Sequence, residues 1–365
     1  MSHEHYVCFD DGARAWDPYS SAEPPLADCS YFGGVLRELE RDWEHGPLTV
    51  YMTKDTESLP SYGENVIVIL LNEEWFRTPA YAGHVLGTLR TLPGRPWFPW
   101  GTLIPPSAAG SFALANYLRV LVERARAERR TQRVLAERDW PWPRSESVID
   151  VPLGYYRQPE LPIKPLHERA TDVYFGGSLL HDLDRKERWK QLAKRFLGNP
   201  KQLYRKRMLD ELDRVCRTHP EIRAQVTVSG EFRALPTTQV TDYANAMMDT
   251  RIALVPRGTA AESYRLFEAW RYGCIVICEE LPPRPFLQGA PAITLRSWHE
   301  LGQALPALLA DPDRQQALHE ASLLWWRDVC SERAVGRRLA DQLEALREAR
   351  RPTADMRPPA MAPTA

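Results

Sequence analysis

Short runs of β-branched and aliphatic residues alternate with longer stretches whose apolar positions return at helical spacing, and this alternation persists along most of the chain. In the first half, residues 6–9 read as a strand, followed by a polar, proline-containing loop to about Cys29. Gly33 and Gly34 then open a helical pattern that runs to Trp43. Residues 48–52 and 66–71 are strand-like by length and β-branching. A long amphipathic helix falls within 107–137, and its dense Arg and Glu content from Val122 onward is the signature of a solvated face. The cluster Trp140, Pro141, Trp142, Pro143 halts that helix, because proline supplies no amide donor and clashes with the preceding turn.

The second half repeats the alternation more cleanly. Residues 172–178 read as a strand running into a glycine turn, followed by a basic helix over about 185–196 and another over about 201–216. Strands follow at 225–230, 252–256, 274–278 and 292–295, with helices around 243–248 and 263–272 and further helices to about Glu348. Strands separated by helices imply parallel sheets covered on both faces, hence an α/β fold. The proline-rich stretch before Arg169 divides the chain, so the expected organisation is a domain over 1–155, a linker over 156–170 and a second domain over 171–348. Residues 349–365, rich in Pro, Ala and Arg, read as a disordered tail.

Composition narrows the function. The 365 residues carry a net charge of −1, so no global field draws in nucleic acid. The N-terminus lacks the basic flank and apolar core of a signal peptide, and no apolar run approaches the roughly 20 residues needed to span a bilayer. Six scattered cysteines form no CxxC pair, which fits a reduced, cytoplasmic setting. Peripheral association with a membrane is left open, as is the oligomeric state.

Chemistry concentrates between Arg251 and Glu279. A buried strand ends at Pro256, Arg257 and Gly258; a loop of small residues follows, and a helix starts near Ser263. Ligands of open α/β sheets bind outside the carboxyl ends of strands, and free amides at a helix start favour phosphate. Arg257 and Arg265 offer bidentate partners to a diphosphate, Tyr264 lies between Ser263 and Arg265, and Glu268 lies within reach of neutral hydroxyls. The same residues also fit a plain N-cap, a surface Arg–Glu pair and an ordinary turn glycine.

The order Pro-Arg-Gly, Ser-x-Arg-Leu-x-Glu-Ala, Tyr-Gly-Cys-Ile-Val-Ile resembles the C-terminal domain of exostosin-like glycosyltransferases and, more distantly, other transferases of the GT-B fold. The resemblance covers about a quarter of the chain well and the second half loosely. It implies two Rossmann-like domains facing a cleft, a UDP- or GDP-linked sugar as donor, Glu268 on the donor ribose, and Ser263 and Arg265 beside the diphosphate. Gly177 in the Phe-Gly-Gly-Ser turn matches the donor-facing glycine turn of such domains, and Lys186, with Arg185 and Arg188, either reaches the phosphates or belongs to a solvated basic face. Many retaining relatives carry a second Glu eight residues earlier; Ala260 stands there, which leans towards inversion. Asp182-Leu183-Asp184 matches a metal-binding pattern of a different transferase fold only by chance, so no metal or other cofactor is expected.

An inverting transferase needs a base for the acceptor hydroxyl. The candidates are Glu74 and Glu73 after the buried strand, then Asp11 after the first strand, then His84. The Arg95–Trp100 cluster offers aromatic stacking for a sugar or packing for a core. The expected activity is therefore glycosyl transfer to a glycan, glycolipid or small-molecule acceptor. A nucleotide-sugar epimerase and an inactive scaffold of the same fold are the alternatives.

Overall fold

The computed structural model describes residues 3–71, 77–98, 100, 108–143, 147–178, 200–229, 237–258 and 260–350. Two sheets organise them. The first holds β1 (Glu4–Phe9), β2 (Gly12–Ala15), β3 (Thr49–Thr53), β4 (Gly63–Leu70), β5 (Val85–Arg90) and β6 (Val148–Asp150), in the order β2-β1-β3-β4-β5-β6. All pairs are parallel except the β1–β2 hairpin at the edge. The second holds β7 (Thr171–Ser178), β8 (Ala224–Ser229), β9 (Thr250–Val255), β10 (Ile275–Glu279) and β11 (Ala292–Leu295). Its order is β11-β10-β9-β7-β8, all parallel.

Alternate side chains explain why both sheets are covered on two faces. Val50, Met52, Ile67 and Ile69 enter one core, while Tyr51, Val66 and Val68 enter another. In the second sheet Ala253, Val255 and Val276 face one core, and Ile252, Leu254, Ile275 and Ile277 the other. The helices are α1 (Cys29–Asp42), α2 (Ala108–Glu137), α3 (Pro200–Thr218), α4 (Thr237–Met248), α5 (Tyr264–Arg271), α6 (Leu301–Leu309), α7 (Pro312–Trp325) and α8 (Glu332–Arg350). The fold is α/β, with parallel sheets covered by helices, as expected.

Three features depart from the pattern reading. The strand β5 carries Gly87, whose missing side chain leaves room for Leu343, and this breaks the β-branched run that marks a strand. Gly33 and Gly34 do not open α1 but lie inside it. The last helix, α8, crosses back to the first domain: Val335, Leu339 and Leu343 share a core with Val35, Leu36 and Leu39 of α1. By packing, then, residues 332–350 belong with the first sheet although they follow the second in sequence. The helix also runs on to Arg350, and the rest of the expected tail lies outside the described residues.

Glycines make the α1–α8 crossing close. A Cβ on Gly336 would stand 2.7 Å from the Val35 carbonyl oxygen and 2.9 Å from the Leu39 amide nitrogen, both backbone atoms that cannot rotate away. A Cβ on Gly34 would stand 2.6 Å from Glu332. Overpacking of this kind costs about 1–3 kcal/mol. Gly336→Ala is therefore expected to lower the thermal midpoint by a few degrees and leave nucleotide affinity unchanged, as read by a melting curve and a titration on the same preparation.

The connection over 151–170 is packed rather than a free tether. Arg169 is buried at 1% exposure, and its guanidinium donates to the carbonyls of Thr250 and Tyr272 at 2.6 Å each. Where the chain returns, the Tyr31 hydroxyl donates to the Cys330 carbonyl at 2.7 Å and the Tyr155 hydroxyl to Glu332 at 2.6 Å. Among the described residues no helix is long and apolar enough to cross a membrane.

Candidate functional site

The second sheet fixes where a ligand belongs. Numbered within that sheet the order is 2-1-3-4-5, and the direction of winding reverses between β7 and β9. Such a reversal opens a crevice at the carboxyl ends of the two strands, because the helices that follow them lie on opposite faces. Here β7 ends in Gly176, Gly177 and Ser178, and β9 ends just before Pro256, Arg257 and Gly258.

Helix α5 starts at that crevice. Its N-cap, Ser263, is extended (φ −144°, ψ 156°), yet its hydroxyl makes no capping bond and is buried without a hydrogen-bond partner among the described residues. The helix buries Leu266, Phe267 and Trp270 against β9 and β10 and ends at Gly273, whose φ of +69° is the left-handed stop expected there. That burial turns Arg265 inward. It is 4% exposed, its guanidinium lies 5.0 Å over the Phe175 ring, and its Nε and Nη1 find no acceptor among the described residues. Gly177 is glycine for this neighbour: a Cβ there would lie 2.2 Å from Nη2 of Arg265.

A second guanidinium joins it from α3. Arg205 is 3% exposed, and burial, reinforced by repulsion from Arg265, pushes its pKa down to about 9. Arg205 remains cationic at neutral pH. Two buried like charges beside unsatisfied donors are costly by about 1–3 kcal/mol per unmet group, and an anion spanning them removes that cost.

Glu268 lies one turn further on, 4% exposed. One carboxylate oxygen accepts from the Tyr243 hydroxyl at 2.8 Å; the other accepts from the Tyr156 amide at 3.2 Å and the Gln158 side chain at 3.4 Å. Burial raises its pKa, while Tyr243, the Tyr156 amide and Arg265 oppose the rise. A carboxylate has about four lone-pair sites, so it can still accept from a ligand hydroxyl.

The other expected donor residues are placed differently. Arg257 lies 5.1 Å over the Tyr204 ring, and its amide donates to Glu279 at 3.0 Å. Its side chain borders a cleft with Tyr204 and Ala260 on one side and Trp97, Phe98 and Tyr117 of the first domain on the other. The Arg95–Trp100 cluster thus serves both readings: Phe98 is buried against Ala113 and Tyr204, while Trp97 faces the cleft. Gly258 donates its amide to the Ala260 carbonyl at 3.0 Å, forming the turn. Tyr264 turns away from the crevice, meets the Tyr156 ring edge to face at 5.2 Å and donates its hydroxyl to Asp28 of the first domain.

Of the expected bases, Glu73 and Glu74 lie outside the described residues, as does Lys186. Asp11 is in the exposed β1–β2 hairpin turn, paired with Arg14 at 2.6 Å, on the outer edge of the sheet. His84 precedes β5 at its amino end, stacked on Trp140 at 4.0 Å. Six residues at about 3.3 Å each put it about 20 Å from the carboxyl edge that faces the second domain. Neither side chain lies beside the crevice of the second sheet, because nearness to a strand in sequence does not say which end or edge is meant.

Five residues escaped the sequence reading: Arg205 and Tyr243 beside the crevice, and Asp28, Glu262 and Arg284 where the two halves meet. Arg284, 3% exposed, binds Glu262 at 2.8 Å and donates to the carbonyls of Thr91, Arg90 and Val151 at 2.9, 3.0 and 3.3 Å. One side chain from the second domain thereby closes the carboxyl ends of β5 and β6. Glu262 is fully buried, and burial raises its pKa to about 7 despite Arg284.

This is a two-domain α/β protein with a polar, cationic crevice at the switch point of its second sheet. No protein-family model matches the sequence, and no curated protein matches it. Several solved structures resemble the chain. The sucrose-phosphate synthase of Thermosynechococcus elongatus is 13% identical, with a TM-score of 0.42, over 91% of this chain and 97% of that one. The Anabaena HepE protein in complex with UDP-glucose is 10% identical, with a TM-score of 0.39, over 94% and 100%. A chain of the GtfA/B complex is 13% identical, with a TM-score of 0.39, over 79% of this chain; the match spans 58% of that longer chain. At these levels the functional reading rests on the side chains themselves.

Proposed function

We propose that the protein is a glycosyltransferase that moves a sugar from a UDP- or GDP-linked donor to a hydroxyl of a glycan, glycolipid or small molecule, with inversion. The observation that carries this reading is the buried Arg265, with two unmet N–H groups, facing Arg205 at the start of α5. A diphosphate matches that charge, the free Ser263 hydroxyl and the helix start; Glu268 then stands one turn away for ribose hydroxyls. During transfer the same guanidiniums stabilise the negative charge that gathers on the departing nucleoside diphosphate, so this chemistry calls for no metal. The exostosin-like order of motifs in the second half supports the same assignment of Ser263, Arg265 and Glu268.

Calorimetric titration tests it. Wild type is expected to bind UDP or GDP with micromolar to submillimolar affinity, and Glu268→Ala to weaken binding of the nucleotide about tenfold through lost ribose bonds. Absence of binding at millimolar nucleotide, or a Glu268→Ala variant that binds as wild type does, would sink the proposal.

A further inference from the structure

We propose that the outward face of α2 docks on an anionic phospholipid surface, an inference that stands independently of the glycosyl-transfer reading above. The helix turns one side to the protein through Ala127, Thr131 and Leu135, all buried. Leu118, Val122 and Arg126 each precede one of these by nine residues. Nine residues make about two and a half turns of an α-helix, so these three side chains point directly away from the protein. Leu118 and Val122 are accordingly 53% and 51% exposed.

That face divides along its length. Its first part carries Ala115, Leu118, Val122 and Ala125, and its second carries Arg126, Arg129, Arg130 and Arg133. The two acids of this stretch lie on its flanks, Glu123 paired with Arg126 at 2.7 Å and Glu128 with Arg124 at 2.8 Å. Among the described residues no ion pair holds Arg129, Arg130 or Arg133. In a chain of net charge −1 this is a local concentration of cations and not a share of a general field.

Trp100 adds an aromatic ring to the apolar end. It is 64% exposed and meets Phe98 edge to face at 5.1 Å; Phe98 in turn lies 5.3 Å from the ring of Tyr117, the neighbour of Leu118. Exposed apolar side chains grouped beside unpaired arginines mark an interaction surface. A bilayer surface offers both complements in one plane. Its phosphates take parallel N–H bonds from guanidinium groups, and its upper acyl region takes Leu118, Val122 and Trp100. The outer side of a helix is a convex ridge, which lies on a plane surface, whereas peptide partners seat in grooves or on sheet edges. The helix is too polar to cross a membrane, so it rests on one. Arg119, next to Leu118, borders the cleft lined by Trp97, Tyr117 and Arg257, so a docked chain holds that cleft at the bilayer surface.

The test uses the full chain, co-sedimented with vesicles of phosphatidylcholine alone or with about one quarter phosphatidylglycerol. Wild type is expected to pellet with the anionic vesicles and not with the neutral ones. Most of that binding should be lost between about 0.1 M and about 0.5 M salt as the screening length shortens. Replacing Arg129, Arg130 and Arg133 together by Gln is expected to weaken partitioning about 100-fold, roughly fivefold per charge. Leu118→Asn with Val122→Asn is expected to weaken it about tenfold. All five side chains are exposed, so melting midpoints and UDP titrations of both variants should match wild type, which separates lost docking from lost folding.

A wild type that stays in solution with anionic vesicles, or binds neutral ones equally well, overturns the proposal. A triple Gln variant that partitions within threefold of wild type does the same. So does a dimer of the full chain that the Leu118→Asn, Val122→Asn variant dissociates, since the face then belongs to a second copy. A chain that binds anionic vesicles but no nucleotide overturns the functional reading alone.

Discussion

Arg265→Ala is expected to weaken UDP binding by about 100-fold. Its Nε and Nη1 are buried without acceptors among the described residues, so a diphosphate gains two charge-assisted bonds whose donors need not first be stripped of protein partners. Two such bonds at about 1.5 kcal/mol each give about 3 kcal/mol, which is about two orders of magnitude in affinity. Arg265→Lys keeps the charge and loses the planar fork, and should fall between, near tenfold.

The same argument predicts an opposite effect on the free protein. Removing Arg265 relieves its repulsion of Arg205 and two unmet donors, so Arg265→Met should raise the thermal midpoint in the absence of nucleotide or leave it unchanged. Titration calorimetry and melting curves on one preparation read both effects. A variant that binds UDP within threefold of wild type removes Arg265 from the phosphate site.

The second large effect concerns the domain contact. Arg284→Met is expected to destabilise the protein by about 3–5 kcal/mol, because it strands a buried Glu262 and leaves three carbonyls without their donor. Glu262→Gln separates the ionic part. In the fold burial holds the Glu262 pKa near 7, above its ordinary value of 4.5. Between those two pH values the folded chain keeps a proton that the unfolded chain releases, so stability falls as pH rises through this window and levels off above it. The fall is of order 3 kcal/mol. Glu262→Gln should abolish this slope. Urea denaturation at pH 5 and pH 7.5, read at the first transition because two domains need not unfold together, measures the difference. A wild type equally stable at both values contradicts the assignment.

Much of the architecture was legible because strand and helix periods report which side of an element is buried. Runs such as Val66–Leu71 are apolar at every position since both faces of a parallel sheet are covered. The turn from β9 into α5 was legible for the same reason, its buried strand, small loop and helix start following one another in sequence. Asp28, by contrast, reads as an ordinary polar loop residue, and Arg205 lies in the run Tyr-Arg-Lys-Arg, which looks like a solvated helix face. Only the packing of α3 onto the second sheet turns that guanidinium inward, and only the facing of two sheets brings Asp28 to Tyr264, 236 positions away.

By itself, then, the sequence determined the α/β alternation, the parallel sheets and the elements that carry Ser263, Arg265 and Glu268, because these follow from local periodicity and from chain neighbours. The tertiary structure decided the rest. It returned α8 to the first domain, closed Arg284 on Glu262 and on the carbonyls of Arg90 and Thr91, placed Asp11 on an outer edge and His84 at the amino end of β5, and set Asp28 against Tyr264 at the start of α5. Those outcomes depend on contacts between distant segments, and a hydrophobic period records that a face is buried without recording what buries it.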